Sequence, residues 1–386
     1  MKWSRPDAGR SHGGASATTV LVIAGTRPES IKLAPVVWAL DGDRALRAVV
    51  VNSGQHAGAV RDAFAEFGIR HDVELGSVPS LPNLLAAFEH LRIELAAVVA
   101  RYRPRCVVVQ GDTLTTYTAA WAGRAAGCSV AHVEAGLRTA SPAEPFPEEW
   151  FRRRIARLAD VHFAPTDAAV SHLRSEGIPA TTIHRTGNTG IDSLRWALDG
   201  LESPCAPRNG ERNRVLITLH RRENHDRNAE IVCRALLRLS ALRPDLAMIF
   251  PVHPNPRVAE PIRRRLGTHP AFELVAPLPY RDFIALAKDA ALIISDSGGI
   301  QEEAPHLGTP LLVPRCNTER PEAIATGFVR LVAVDEHAII AAAQTALAKR
   351  RSTPLAIDRN APFGAGDAAQ RIVGILRTAL LERAIA

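Results

Sequence analysis

Two acidic residues, Asp112 and Glu134, follow short apolar runs in the settings Gln110-Gly111-Asp112-Thr113 and His132-Val133-Glu134-Ala135-Gly136-Leu137-Arg138. The runs before them, Cys106–Val109 and Ser129–Val133, read as neighbouring β-strands. Both acids therefore fall at strand carboxyl ends, where open α/β sheets bind their ligands. Taken singly, each is explained as well by a helix cap or an ion pair. Together they have the makings of an acid/base pair, because closely spaced carboxylates push their pKa values apart. Pro145-Phe146-Pro147-Glu148-Glu149 is a proline-stiffened loop that either brings in a third carboxylate, Glu148, or is simply solvated.

A second group of residues suits an anion. Ser295-Asp296-Ser297-Gly298-Gly299 follows Ala291-Leu292-Ile293-Ile294 and leads into a helical segment. Gly298 and Gly299 let the backbone approach a phosphate closely, and the helix start presents N–H groups where the dipole is positive. Glu303, one turn further on, can accept from sugar hydroxyls, although an ordinary glycine turn explains the stretch as well. In Gly25-Thr26-Arg27-Pro28-Glu29, the spacing of Thr26 and Glu29 predicts a capping box. Arg27, with Lys32 a turn later, can reach a diphosphate. The turn lacks the G-x-G-x-x-G spacing of a dinucleotide site. His220, in His220-Arg221-Arg222-Glu223-Asn224, can protonate or hydrogen-bond a departing phosphate oxygen. Histidine spacing gives no metal site. His253 and Arg320 also follow predicted strands.

These residues need a scaffold of parallel strands. Alternating apolar runs and helical segments predict an α/β protein with two Rossmann-like, doubly wound domains facing a central cleft. The expected layout is a disordered tail at 1–18, a first domain at 19–185, a second at 186–365, and a C-terminal helix at 366–386. Thr186-Gly187-Asn188-Thr189-Gly190 and the polar stretch after it suit the connection. A net charge of +7, spread along the chain and not blocked, favours a small anionic ligand over nucleic acid, and 5% aromatics argue against base stacking. The clusters Arg152–Arg154 and Arg263–Arg265 read as solvated helix faces. Five irregularly spaced cysteines read as reduced packing residues, and no apolar stretch is long enough to span a bilayer. A soluble, cytoplasmic protein is expected.

Ten ordered motifs carry a resemblance over residues 19 to the C-terminus. They are GTRPESIKLAP (25–35), GQH (54–56), QGDT (110–113), HVEAGLR (132–138), PFPEE (145–149), GNTGID (187–192), HRREN (220–224), PVHPNP (251–256), SDSGGIQEEAP (295–305) and TERPE (318–322). The chain resembles the non-hydrolysing bacterial UDP-N-acetylglucosamine 2-epimerase family. The resemblance implies a GT-B type fold, a UDP-sugar substrate, a homodimer, and neither cofactor nor metal. It implies anti elimination of UDP to 2-acetamidoglucal and re-addition with the opposite configuration at C2. It assigns acid/base work to Asp112, Glu134 and Glu148 and puts His220 beside the diphosphate. Arg27, Lys32, Arg138 and Arg320 would hold phosphate or sugar, and Ser297, Gly298 and Gly299 the diphosphate. Glu303 would meet the ribose, Leu278 and Phe283 the uracil, with His253 in support.

The chain departs from the family pattern at Phe151, where Asn is usual, at Ala361 and Ala365 of the return segment, and at Arg315-Cys316-Asn317. Many bacterial members also bind a second UDP-N-acetylglucosamine as activator, through a Gln three residues after the GQH glutamine and an Arg/Gln pair downstream. Here Gly58 takes the first position and residues 77–82 offer no such pair, so weak or absent activation is expected. Hydrolysing relatives, which typically carry GDR and GGE, are one alternative; a glycosyltransferase or a nucleotide-sugar sensor on the same fold are others.

Overall fold

The computed structural model describes residues 17–76, 78, 83–142, 144–201, 213–219, 227–252, 255–348, 353–358 and 360–382. The first elements in chain order are β1 (Thr18–Ala24), α1 (Arg27–Asp41), β2 (Leu46–Asn52), α2 (Ala57–Glu66), β3 (Val73–Glu74), α3 (Leu84–Tyr102) and β4 (Cys106–Gln110). They continue through α4 (Leu114–Ala125), β5 (Ser129–Val133), α5 (Glu148–Leu158), β6 (Val161–Ala164), α6 (Asp167–Ser175), β7 (Ile183–Arg185) and α7 (Thr189–Leu198). A second series comprises β8 (Asn213–Thr218), α8 (Arg227–Leu242), β9 (Leu246–Pro251), α9 (Pro256–Leu266), β10 (Phe272–Val275), α10 (Tyr280–Asp289) and β11 (Leu292–Ser295). After these come α11 (Gly298–Leu307), β12 (Leu311–Pro314), α12 (Pro321–Ala325), β13 (Val329–Val332), α13 (Glu336–Ala348) and α14 (Ala368–Glu382).

The predicted strands form two parallel sheets. One has the order β3-β2-β1-β4-β5-β6-β7 and the other β10-β9-β8-β11-β12-β13. In the first, β1 pairs with both β2 and β4; in the second, β8 pairs with both β9 and β11. Strand order thus reverses between β1 and β4 and again between β8 and β11, and each reversal opens a crevice at the strand carboxyl ends. The continuous apolar runs are explained by burial on both faces. All of β4 is buried, as are Val20–Ala24 of β1. Leu21, Val107 and Val130 pack with Leu95 of α3, Ala119 of α4 and Ile155 of α5 in the first core. Ile217, Phe250 and Ile294 pack with Leu236 of α8 in the second. Each large side chain so buried contributes roughly 1.5–3 kcal/mol.

By contact density the chain forms two units, one made of residues up to Trp196 with Asp358 onward, the other of Ala197–Ile357. The divisions differ from the 185–190 boundary and the return at 366 read from sequence, and local bonds explain why. Ser193 Oγ on α7 donates to the Ile31 carbonyl of α1 at 2.6 Å, and Trp196 stacks on Phe67 at 4.3 Å. These contacts tie α7 to the first sheet. Asn188 N donates to the Phe363 carbonyl at 2.8 Å, and Arg195 Nη1 donates to the carbonyls of Ala365 and Gly366 at 2.9 and 3.1 Å. The returning segment is therefore docked before α14 begins. Thr18, assigned to the tail from sequence, already belongs to β1.

Cys106, Cys128 and Cys233 are buried free thiols, whereas Cys316 is exposed; Cys205 lies outside the described residues. Among the described residues, no helix is long and apolar enough to cross a membrane.

Asp192 of α7, 1% exposed, accepts the first free amides of α14, Ala368 N at 3.3 Å and Ala369 N at 3.0 Å. Burial pushes its pKa up to about 7, against the pull of those amides and with the charge of Asp367 adding to the rise. An acid whose pKa is raised on folding binds its proton more tightly when native, so its contribution to stability falls as pH rises from about 4 to about 7. Asp192→Asn removes this dependence. The thermal midpoint of the variant minus that of the wild type should be more positive at pH 8 than at pH 5, measured by calorimetry.

Candidate active site

At the carboxyl end of β4 the chain turns through Gly111, whose φ of +77° favours glycine. The turn is pinned on both sides. Gly111 N donates to the Val133 carbonyl at 3.1 Å, and His132 Nε2 donates to the Gly111 carbonyl at 2.8 Å. Burial lowers the His132 pKa to about 4, so the ring is neutral and serves this turn as a donor. Thr113 then caps α4, accepting Thr116 N at 3.2 Å. Asp112 projects between turn and cap and is met by Arg152 of α5. Arg152 Nε and Nη2 both reach Asp112 Oδ2, at 2.7 and 2.6 Å. Oδ1 makes no hydrogen bond with any described residue, and the Asp112 side chain is 26% exposed.

Glu134, directly after β5, has φ +65° and is one of two non-glycine residues with positive φ among those described. Such backbone persists where its surroundings fix it, often at functional sites. Its Oε1 accepts from Lys32 Nζ at 2.5 Å and from Asn188 Nδ2 at 3.4 Å, and its Oε2 accepts from Gln110 Nε2. Lys32 reaches it because α1 starts where the sequence predicts. Thr26 and Glu29 form the capping box, and the buried Glu29 Oε2 accepts Gly25 N at 2.6 Å and Thr26 N at 2.7 Å. Burial raises the Glu29 pKa, partly offset by the hydrogen bond from Thr113 and others. Arg27, at the first position of α1, is partly exposed, with Glu66 4.0 Å away. Glu148, the first residue of α5, is half-buried and makes no ion pair or hydrogen bond with a described residue.

The structure thus gathers Lys32, Asp112 and Glu134 at neighbouring strand ends, while Arg138 has a different setting. Arg138 Nε and Nη2 grip Glu176 at 2.8 and 2.7 Å, with buried Glu149 at 4.0 Å. Arg152, read from sequence as part of a solvated face, is instead 4% exposed; Arg263–Arg265 are exposed as expected. Sequence reasoning also missed Glu149, Gln110 and Asn188. A legible signal existed for the first: Glu149 and Arg152 lie three apart on one helix face, the spacing of a side-chain pair. Phe151 points into the first core, stacked on Tyr117 at 5.4 Å, so this departure from the family motif is absorbed by packing.

In the second unit, Ser297 leads into α11 beside the β8/β11 switch point, its N–H donating to Ser295 Oγ at 3.1 Å. Arg320 lies over the turn. A Cβ built on Gly298 would meet Arg320 Nη1 at 2.7 Å, whereas one on Gly299 meets nothing within 4 Å. The guanidinium is fixed by two buried acids, Glu302 at 2.5 Å and Glu319 at 2.6 Å. Glu303 accepts from the Tyr280 hydroxyl at 2.7 Å. Leu278 and Phe283 are half-buried, before and on α10. His220 and His253 lie outside the described residues.

Carboxylates gathered beside one switch point, and a glycine turn under a fixed arginine beside the other, mark a doubly wound α/β protein with enzyme-like polar groups at its strand ends. Comparison with known proteins gives the particular family. The UDP-N-acetylglucosamine 2-epimerase family model matches residues 38–377. A probable UDP-N-acetylglucosamine 2-epimerase of Ralstonia solanacearum is 40% identical over 92% of this chain and 97% of its own length. The UDP-N-acetylglucosamine 2-epimerase of Escherichia coli K12 is 38% identical over 93% and 98%. The crystal structure of the Neisseria meningitidis enzyme bound to UDP-GlcNAc superposes with a TM-score of 0.86 at 35% identity, covering 94% of this chain and 100% of that one. The chain belongs to the UDP-N-acetylglucosamine 2-epimerase family, a family of isomerases.

Because Glu302 and Glu319 hold Arg320 in place, it cannot swing away from an added methyl group. Gly298→Ala should lower the thermal midpoint by several degrees, a cost of about 1–3 kcal/mol, while Gly299→Ala leaves it unchanged. Scanning calorimetry of the two variants side by side measures the difference.

Proposed function

We propose that the protein interconverts UDP-N-acetylglucosamine and UDP-N-acetylmannosamine reversibly, without hydrolysis and without cofactor or metal. A base takes the C2 proton, the C2–H electron pair becomes the C1–C2 double bond, and the C1–O bond breaks anti to it, releasing UDP onto the protein. UDP then adds back to C1 of 2-acetamidoglucal while an acid delivers a proton to the other face of C2. The C2 proton is not acidic, so its loss is coupled to departure of a diphosphate whose charge must be stabilised. Proton transfer on two faces needs more than one carboxylate.

Asp112 carries this reading: a buried arginine holds its Oδ2, its Oδ1 bonds to no described residue, and its side chain is 26% exposed at a switch point. Glu134 and Glu148 supply the remaining acid/base capacity, and His220 serves the diphosphate oxygen. Ser297, Gly298 and Gly299 hold the diphosphate with Arg320, Glu303 meets the ribose, and Leu278 and Phe283 flank the uracil, with His253 in support. Arg27 and Lys32 hold phosphate or sugar. The direct role of Arg138 is to fix Glu176 and, with it, the start of the loop leading to α5. The working assembly is a homodimer.

Incubation of the purified chain with UDP-N-acetylglucosamine in deuterated water, followed by proton NMR, tests the reaction. Deuterium at C2 and a UDP-N-acetylmannosamine signal are expected, and Asp112→Asn should slow both by about a hundredfold or more. Release of free sugar with UDP would instead mean hydrolysis, and an unchanged spectrum would sink the proposal.

Gly58 sits in the first turn of α2 and has no side chain to offer an effector; residues 77 and 79–82 lie outside the described residues. We expect a hyperbolic rate curve starting from pure UDP-N-acetylmannosamine. An absolute requirement for added UDP-N-acetylglucosamine would show that activation is retained.

A further inference from the structure

Arg152 is buried, yet its partners are divided between two elements with different roles. Nε and Nη2 converge on one oxygen of Asp112, Oδ2. Nη1 donates to Glu149 Oε2 at 3.0 Å, and Glu149 is fully buried. Glu149 is itself held from further sides. Arg153 Nη2 is 3.3 Å from its Oε1, Thr139 N donates to its Oε2 at 3.4 Å, and Arg138 stands 4.0 Å away. A guanidinium is planar, so fixing one edge on a buried carboxylate also fixes the direction in which the other edge points.

The geometry is asymmetric in a way that bears on proton transfer. A carboxylate engaged through both oxygens is oriented from both sides and has less lone-pair capacity left for a reactant. Glu134 is in that state, with Lys32 and Asn188 on Oε1 and Gln110 on Oε2. Asp112 is held through Oδ2 alone. Two donors on a single oxygen restrict the freedom of the group to flip, because a flip would have to break both contacts in a partly buried setting. Oδ1 is then the oxygen that meets the reactant.

We propose that Arg152 is a positioning residue for Asp112: it pins Oδ2 so that Oδ1 exchanges the C2 proton, and Glu149 is the buried counter-charge that fixes Arg152. The inference rests on the epimerase reading above. Arg152 need touch neither sugar nor UDP. Removing it should therefore change the chemical step and leave the grip on UDP intact, a split that loss of substrate binding would not produce.

The wild-type enzyme is assayed first by C2 deuteration; if it is inactive, the epimerase reading fails, whatever the variants do. With an active wild type, Arg152→Gln should lower kcat by about a hundredfold and leave the Kd for UDP, measured by calorimetric titration, within about twofold. In Arg152→Ala, millimolar guanidinium ion should restore part of the lost rate, since it refills the same planar fork. A kcat within threefold of wild type, a loss that appears chiefly as weaker UDP binding, or a loss that guanidinium does not relieve would overturn the proposal. Should the Arg152 variants fail to fold, Glu149→Gln takes their place. A reduced kcat at unchanged UDP affinity is expected there, and an unchanged kcat would overturn it.

Discussion

The site is governed by the cost of burying charge. An ion taken out of water must meet an opposite charge or a full set of hydrogen bonds. Lys32 meets Glu134, Arg152 meets Asp112 and Glu149, and Arg320 meets Glu302 and Glu319. In each case at least one compensating partner comes from a different element, so the pairing sets a direction as well as a charge balance. Orientation is the product of this arrangement. Replacing one partner would leave the other charged and buried, and the elements that carry them depend on each other for that reason.

The parallel sheets give these pairs their location. A strand buried on both faces ends abruptly, and the next residues form the first polar surface the chain can present. Asp112 and Glu134 follow adjacent strands of one sheet, and Ser297 and Gly298 follow a strand at the switch point of the other. Chemistry collects at these edges because polar backbone and side chains are tolerated there, while the interior a few residues earlier admits chiefly apolar side chains such as Val, Ile, Leu and Ala.

Much of this was legible in the sequence because it depends on local spacing. The apolar runs before Gly25, Gly111 and Ser297 mark strand ends, and the three-residue interval from Thr26 to Glu29 marks a helix start. What could not be read depends on which elements become neighbours. Nothing near Arg152 in the chain indicates that Asp112, forty residues earlier, will bury it, so a run of three arginines looks solvated. Asn188 reaches Glu134 through strand order, which spacing does not encode. Arg138 was legible as a cation, but its partner Glu176 lies at the end of α6, reached only through tertiary packing. The division of the chain differs for a similar reason: Thr186-Gly187-Asn188-Thr189-Gly190 looks like the natural joint, yet Asp192, Ser193 and Arg195 bind α7 to what precedes it and to what returns.

That return makes the first unit discontinuous. Its core needs α14, which is bonded through Ala368 and Ala369 to an aspartate 176 and 177 residues earlier, whereas the second unit is a single uninterrupted stretch. During synthesis the second unit is therefore free to close while the first still waits for its last helix, the reverse of the usual order in which amino-terminal domains fold first. The nascent first sheet must stay competent through that delay, with the docking surface for α14 exposed to solvent and to whatever attends the ribosome.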